Sequence, residues 1–560
     1  MATWADIQSW ELSYVEEAED LIEAEVREAR EIIADLEHAA NDIRSQGEGP
    51  DRMRERLTEI QDKLDARLNE LIEYALATAE LHGYVSRVVA KRKSAWEVAA
   101  EVGYDIPESG VVQPSLPEMR FEPVASKFAE LRDCVDDAVR IATEAEETVG
   151  PRYQALADGQ YVLGEGRHSE SAGLANDADP SWSPEEVSVW WALLSESERE
   201  ALINKDPEKY GNLNGIDMAS RAKANDLVLN GRIDAAGNRI PGTSLIEKTR
   251  NEFEQVEKEV QAMHDAGLPV SLLLGQRHEA LRNRLEDLET LERSLRNNSE
   301  LRLVTLEPGE LGENVRAAIA IGDVDNAKHV TTFVPGMTTS CRRSTDLNLG
   351  YARNLIDAAE NAGGAEKGSV AAVAWMGYEA PSAPWETGSP SVMFPGKAQA
   401  GAEKLNGFLT GIHSWRSERG MDVHQTPVTH SYGSLTGGFA MRDIGEGVVD
   451  DFVYTGSPGS AVHSVGMLGV DPDHTWVSAI PLHDEVQGMG LDGTFGRDPK
   501  ELEGIGHLSG DATGGDGYNS DPNADKYANH SAYFYKAKPG EHNYSLEDIG
   551  EVIADKKKKQ

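Results

Sequence analysis

From about residue 300 onward, short apolar runs alternate with helical patterns, and no other feature of the chain constrains the fold as strongly. The apolar runs occupy residues 301–306, 315–321, 329–334, 369–375, 427–430, 451–455 and 475–482, and helical stretches at 347–362 and 397–419 fill later gaps. Strands that alternate with helices favour a mostly parallel sheet covered on both faces. The sequence therefore predicts an α/β fold whose active groups gather at the carboxyl ends of the strands.

Ser431 lies in the segment TPVTHSYGSLTGGFAM, residues 426–441, in which a short apolar approach leads into a small-residue helical stretch. A strand, a sharp turn and a helix in this order form a nucleophile elbow, which lifts a serine hydroxyl above the sheet edge. The pattern departs from G-x-S-x-G at one point, since Thr429 stands where the first glycine would be. We expect Ser431 to be a nucleophile and the Thr429 side chain to crowd its turn.

A nucleophilic serine needs a base, and the base needs a group that orients it. In hydrolases with such an elbow, the acid and then the histidine follow the serine along the chain. Asp484 comes just after the presumed strand WVSAIPL, so it is expected at a strand end. Three histidines lie downstream, His507, His530 and His542, of which His530 precedes an aromatic stretch suited to anchor its loop. We therefore prefer His530 as the base, whereas His430, adjacent to the serine, is expected to pack.

The segment HVTTFVPGMTTS, residues 329–340, predicts an apolar strand that ends in Pro-Gly at the head of a helix. Alpha/beta hydrolases take one oxyanion donor from the loop after the third strand and the other from the residue after the nucleophile. On this pattern, the donors are the backbone amides of Met337 and Tyr432, and Gly336 allows a close backbone approach. The alternative interpretation is a plain strand-to-helix turn.

The first ~150 residues are helical in pattern. Two amphipathic stretches flank the break SQGEGPD at 45–51 and predict an antiparallel hairpin, and a further helix is expected around 118–148. We expect these apolar stripes to form a unit separate from the sheet. The predicted division is a helical region at 1–156, a linker at 157–182, a helical segment packing on the core at 183–300, a catalytic domain at 301–548 and a basic tail at 549–560.

Four segments together resemble one family: IGDVDNAKHVTTFVPGMTTS, VTHSYGS, VYTGSPG and NHSAYF. They are similar to actinobacterial alpha/beta hydrolases known only as a domain of unknown function. The segment WWALLSESEREALINKDPEKYGNLNGIDMASRAKAN is similar to the helices that precede the catalytic core there, so the resemblance covers about residues 183–545. It implies an alpha/beta-hydrolase fold with Ser431 as nucleophile, Asp484 as acid and His530 as base. The opening TWADIQSWELSYVEEAEDLIEAE resembles a WXG-type helical hairpin, although the turn at 45–51 has no Trp-x-Gly.

The formal net charge of −43 argues against nucleic acid as a partner, because phosphates would be repelled. No apolar run approaches the ~20 residues of a membrane span. The N-terminus lacks the basic and apolar regions of a secretory signal, so we expect a cytoplasmic protein by default. Export by a type VII-like route is the alternative, which the segment YDIPE at 104–108 fits.

No metal or organic cofactor is expected. Cys134 and Cys341 have no motif around them and are interpreted as buried thiols. The acidic loop 509–525 lacks the spacing of an EF-hand. The chemistry of the site is therefore expected to depend on protein groups alone.

These features predict a serine hydrolase that cleaves an ester or related acyl bond through an acyl-enzyme intermediate. Its substrate would be a small-molecule or lipid-like acyl compound. The alternative is a catalytically weak or inactive hydrolase-fold protein that acts as a binding or type VII secretion-associated module. The N-terminal helices would then carry self-association or the binding of a secretion partner.

Overall fold

The computed structural model describes residues 2–115, 122–159, 177–296 and 298–559, and within them an eight-stranded sheet forms the centre. The strands are β1 Leu301–Glu307, β2 Arg316–Ile321, β3 His329–Val334, β4 Val370–Met376, β5 His424–His430, β6 Phe452–Thr455, β7 Thr475–Ser478 and β8 Gly506–His507. Their spatial order is β1-β2-β4-β3-β5-β6-β7-β8. β3 to β8 are parallel, and β1 and β2 pair antiparallel. The predicted α/β fold with a mostly parallel sheet is confirmed.

The α-helices of the described ranges precede the sheet, cover it and close the chain. They are α1 Leu12–Asp42, α2 Glu48–Glu101, α3 Glu122–Ala157, α4 Pro184–Leu193, α5 Glu196–Lys205, α6 Pro207–Tyr210, α7 Met218–Asn230, α8 Leu245–Asp265, α9 Leu272–Arg296, α10 Cys341–Asn361, α11 Pro384–Thr387, α12 Gly396–Ser417, α13 Tyr432–Arg442, α14 Asp492–Phe495 and α15 Tyr544–Ile553. No helix in these ranges combines the length and apolar character needed to cross a bilayer.

Helices pack on both faces of the sheet because the central strands are apolar on both sides. On one face, Phe333 of β3 and Val428 of β5 lie in a core with residues of α10 and α15. On the other face, Val334 of β3 lies in a core with residues of α12 and α13, among them Leu405 and Leu435. This covering leaves the carboxyl ends of β3, β5, β6 and β7 at one edge, where loops carry the predicted site residues.

The antiparallel end of the sheet is covered by the segment before it. Leu288 and Leu291 of α9 pack with Leu303 of β1 and Ile319 of β2 in a separate cluster. Farther upstream, Ser183 caps α4 with a capping box to Glu186. α4 carries two tryptophans into a core shared with α2 and α12: Trp190 and Trp191.

The N-terminal helices α1 to α3, which we call the front end, begin with the predicted hairpin of α1 and α2. α2 has 54 residues and is therefore about 80 Å long, so α1, with 31 residues, pairs with only part of it. Its second half and α3 lie against the hydrolase core: Val98 and Leu131 share one cluster with Met441 and Met467. The expectation of a separate helical unit is wrong for this half, because its apolar stripe is covered by the sheet domain.

Two of the predicted segments lie partly outside the described residues. Of the linker predicted at 157–182, residues 160–176 lie outside them, as do 116–121 at the start of the helix expected around 118–148. The basic tail predicted at 549–560 begins within α15, and its Lys557 pairs with Asp548 of the same helix at 2.6 Å.

Leu131→Ala should lower the free energy of unfolding by about 2–5 kcal/mol, because it leaves a cavity at a fully buried site. Leu21→Ala is the matched control: Leu21 is 70% exposed on α1, so the same change should cost less than about 0.5 kcal/mol. Denaturant unfolding followed by circular dichroism and by tryptophan fluorescence measures both variants. If the sheet of the Leu131→Ala protein unfolded at the wild-type midpoint, the front end would be an independent unit.

Candidate active site

Ser431 occupies the sharp turn between β5 and α13, with backbone angles φ 56° and ψ −132°. A non-glycine residue rarely adopts a positive φ, and such strain costs about 1–3 kcal/mol that surrounding contacts must offset. The Ser431 N–H donates to the Thr455 carbonyl at 3.0 Å, which ties the turn to the end of β6. Gly433 lets the turn approach β3, because a Cβ there would lie 2.4 Å from the Val334 carbonyl oxygen. The strand, sharp turn and helix predicted around Ser431 are present.

Thr429 fits behind this turn without crowding it, contrary to expectation. Its hydroxyl donates to the Val453 carbonyl at 2.9 Å, so the buried oxygen is satisfied. Its methyl group fills space that α13 leaves open at Gly437, where a Cβ would lie 2.5 Å from Thr429 Cγ2. The glycine missing from the strand is thus compensated by a glycine on the facing helix.

Asp484 and His530 are hydrogen bonded, with 2.7 Å between Asp484 Oδ1 and His530 Nδ1. The second carboxylate oxygen accepts from the Tyr533 hydroxyl and, at 3.0 Å, from Gln487 Nε2. Burial raises the pKa of the Asp484 carboxyl, but the hydrogen bonds from His530, Tyr533 and Gln487 outweigh it and hold that pKa below its ordinary value. The histidine ring therefore faces an ionised carboxylate at neutral pH.

His430, the residue before Ser431, holds the loop of His530 in place. Its Nε2 donates to the His530 carbonyl at 2.6 Å, and the two rings pack with their centroids 4.5 Å apart. Burial and, after it, the neighbouring His530 lower the pKa of His430 to about 3, so its ring is neutral. The packing role expected for His430 is confirmed, together with a hydrogen bond that its sequence position does not predict.

The second ring nitrogen of His530 is buried and has no hydrogen-bond partner among the described residues. The ring lies beside the Ser431 turn, as the contacts of Gly456 show. Gly456 follows the Thr455 that accepts from the Ser431 N–H, and a Cβ on it would lie 3.0 Å from His530 Cε1. Asp484 therefore engages Nδ1 and leaves Nε2 free in a ring packed next to the turn.

The loop after β3 lies directly against Ser431. A Cβ on Gly336 would lie 2.5 Å from Ser431 Cβ, 2.9 Å from its Oγ and 3.1 Å from the Tyr432 amide nitrogen, so only glycine fits. Met337 follows Gly336 at this contact, and Thr338 then takes a positive φ of 61°. Thus the residues whose amides were predicted as oxyanion donors, Met337 and Tyr432, lie on the two chain segments that meet at Ser431.

The two other downstream histidines lie elsewhere. His507 is exposed on β8. The His542 side chain is 60% exposed, pairs with Glu547 at 2.8 Å and stacks on Tyr544. Neither contacts Asp484 in the described hydrogen-bond network, so the structure brings His530 alone of the three to that carboxylate.

Sequence reasoning misses three residues that support the pair. Gln487 and Tyr533 bind the carboxylate of Asp484. Asn529 Nδ2 donates to the carbonyls of Leu482 at 3.0 Å and Asn519 at 2.9 Å, which fixes the loop before His530. Their positions in the sequence carry a weak signal, because Gln487 comes three residues after Asp484 and Tyr533 comes three residues after His530. Such spacing is too common to identify a partner without the fold.

No group of three or more His, Cys, Asp or Glu side chains within the described residues is arranged to hold a metal ion. Cys134 and Cys341 are free and buried, as expected, and burial raises the pKa of both thiols. Cys341 Sγ donates to the Val315 carbonyl at 3.2 Å. Both cysteines therefore act as core residues.

Comparison with known proteins identifies the family of the chain. Residues 312–490 match a family model described as alpha/beta hydrolase. The uncharacterized protein Rv0963c of Mycobacterium tuberculosis is 33% identical over 232 residues, which are 40% of this chain and 84% of that protein. The uncharacterized protein Mb0988c of Mycobacterium bovis matches to the same extent. The chain belongs to the alpha/beta-hydrolase family.

A longer relative covers more of the chain. The uncharacterized protein Rv2079 of Mycobacterium tuberculosis is 29% identical over 393 residues, or 67% of this chain. The match spans only 57% of the length of Rv2079. No solved structure matches the chain at a significant level. The family match contains Gly336, Ser431 and Asp484 but ends before His530, so the case for His530 depends on the geometry.

His430→Gln should make the protein less sensitive to acid. The folded pKa of His430, about 3, lies below the ~6.5 of an unfolded histidine, so stability falls as the pH drops from 6.5 toward 3. Over pH 6.5 to 4.5 this single group should account for about 2–3 kcal/mol of the loss. Glutamine keeps a donor for the His530 carbonyl and cannot be protonated.

Denaturant unfolding at pH 7.5 and at pH 4.5 measures the effect. The variant should lose less stability than the wild type between these two pH values, whatever its stability at pH 7.5. Equal losses in the two proteins would contradict a neutral, buried His430.

Proposed function

We propose that the protein is a serine hydrolase that cleaves a carboxylic ester or related acyl bond, with Ser431 as nucleophile, His530 as base and Asp484 as acid. One observation carries the proposal: His530 has its Nδ1 bound by buried Asp484 and its Nε2 free beside the strained turn of Ser431. A base in this state accepts a serine proton while a carboxylate stabilises the resulting imidazolium.

The reaction follows from these positions. His530 Nε2 takes the proton of Ser431 Oγ as the oxygen attacks the carbonyl carbon, and the amides of Met337 and Tyr432 stabilise the oxyanion of the tetrahedral intermediate. The intermediate collapses, the bond to the leaving group breaks, and His530 returns the proton to that group. His530 then takes a proton from water, which attacks the carbonyl carbon of the acyl-enzyme; the bond to Ser431 Oγ breaks, and His530 returns the proton to Ser431 Oγ as the acid leaves.

The surrounding residues support this assignment electrostatically and geometrically. Three donors hold Asp484 ionised, so it stabilises the positively charged ring that forms in each step. Neutral His430 packs on the same ring without adding a second positive charge. The close contact between Gly336 and Ser431 supports a two-amide oxyanion site, because donors must be positioned before charge develops.

The alternative of an inactive binding or secretion-associated module depends on Thr429 and on the helical front end. Thr429 fits its site through Gly437, and α3 is part of the core, so neither favours loss of turnover. An acyl substrate, a cytoplasmic location and self-association or type VII export through the front end remain predictions. They are separate from the assignment of Ser431.

Ser431→Ala, His530→Gln and Asp484→Asn should each lower kcat for a short activated ester on the order of 10³-fold or more. The double variant Ser431→Ala/His530→Gln should be no slower than Ser431→Ala, since the residues act as one unit. His542→Gln is the matched control and should keep wild-type kcat, because that exposed ring lies away from Asp484. Turnover in Ser431→Ala within tenfold of wild type would overturn the proposal.

A further inference from the structure

Two short loops begin and end at residues that border the Ser431 site. The first, residues 381–394, starts where the Pro381 carbonyl accepts from the Thr338 N–H at 2.8 Å. It ends where the Phe394 carbonyl accepts from the Tyr432 hydroxyl at 2.6 Å. Thr338 follows one proposed oxyanion residue and Tyr432 is the other, so this loop borders the site directly.

The second loop, residues 484–495, borders the site from the acid side. It starts at Asp484, whose carboxylate accepts from Gln487 at 3.0 Å. It ends at Phe495, whose ring packs edge-on against the Tyr432 ring with centroids 6.3 Å apart. The two loops therefore meet at Tyr432, the residue next to the proposed nucleophile.

Both loops expose large apolar side chains to solvent. Single exposed apolar residues are ordinary on a protein surface, whereas clusters mark binding sites. Five of the twenty large hydrophobic side chains that are exposed in the described residues lie in these two loops. Between 58% and 76% of each is accessible, and together we call them the apolar collar: Trp385, Met393, Phe394, Met489 and Leu491.

The charge pattern decides which surface the apolar collar fits. Neither loop contains a lysine or an arginine, and the chain carries a net charge of −43. Glu386 on the first loop is paired with Arg343 at 3.0 Å. An anionic surface would be repelled, since binding to anionic lipid depends on basic residues. An uncharged or zwitterionic surface suits exposed Trp, Phe, Leu and Met, which enter the boundary between headgroups and acyl chains.

We propose that the apolar collar docks the protein on the surface of a zwitterionic or uncharged lipid aggregate, from which an acyl ester reaches Ser431. The identity of the substrate class rests on the proposed hydrolase function, whereas docking does not. Both loops that carry the collar contact Tyr432, the residue next to Ser431, so a chain drawn from the aggregate enters between the two loops. The substrate is accordingly a long-chain ester that is held in an aggregate.

Docking is tested with full-length Ser431→Ala protein, which lacks the proposed nucleophile, by flotation with phosphatidylcholine vesicles. The protein should float with these vesicles, and admixture of phosphatidylglycerol should weaken binding. Trp385→Ser/Leu491→Ser in the same background should bind about tenfold or more weakly, because two apolar side chains no longer enter the lipid. Leu272→Ser/Leu273→Ser is the matched control: these leucines of α9 are 76% and 79% exposed, away from both loops, and their loss should leave binding unchanged.

Three outcomes contradict docking. Absence of flotation, equal binding by the collar variant, or equal loss in the α9 control would overturn it. Loss of self-association in the collar variant, seen by light scattering, without loss of vesicle binding would make the collar an interface between copies of the chain. Vesicle binding by a chain whose wild-type form hydrolyses no ester would contradict the proposed function and leave docking supported.

Discussion

The positive φ of Ser431 is the constraint on which the site depends. A serine in this conformation persists only where its surroundings hold it, and here β3, β6 and α13 all contribute. The carbonyl of Thr455 accepts its N–H, Gly433 gives α13 access to the end of β3, and Gly336 brings the loop after β3 against the side chain. Each contact needs a small residue or a strand end at one edge of the sheet. The site therefore depends on the parallel topology, which places these strand ends side by side.

The histidine is positioned from two directions by side chains with opposite electrostatic roles. Asp484 binds the ring at Nδ1 and stays ionised, whereas His430 binds the backbone of the same residue and stays neutral. Because His430 immediately precedes Ser431, a shift of the turn would move the proposed base with it. The geometry between the proposed nucleophile and the proposed base is thus set by two adjacent residues, His430 and Ser431.

The sequence predicts the sheet well because its strands are apolar and separated by helical periodicity. It predicts Ser431 and Asp484 from strand ends, and His530 from the aromatic residues after it. It does not predict the partners of Asp484, because Gln487 and Tyr533 meet only when two loops fold together. It also misjudges Thr429, since the glycine that makes room for it lies on the next helix.

For the front end, the sequence predicts the helices but not their packing partners. The apolar periodicity of α2 and α3 predicts helices correctly but says nothing about what covers them. Leu131 is buried against the same core as Met441 of α13, so part of the helical region contributes to the support of the elbow helix. The first half of α2 pairs with α1 as the hairpin interpretation predicts, and its Leu68 and Ile72 also share a core with Trp190 of α4.

The assignment of Ser431 is tested most directly by reaction with a fluorophosphonate probe, followed by mass mapping of the modified peptide. Such a probe reacts with a serine only when a base and an oxyanion site activate it. We predict a single adduct on Ser431, lost in Ser431→Ala and kept in Ser434→Ala, whose serine is fully buried one turn along α13. An adduct on another residue, or undiminished labelling of Ser431→Ala, would contradict the account.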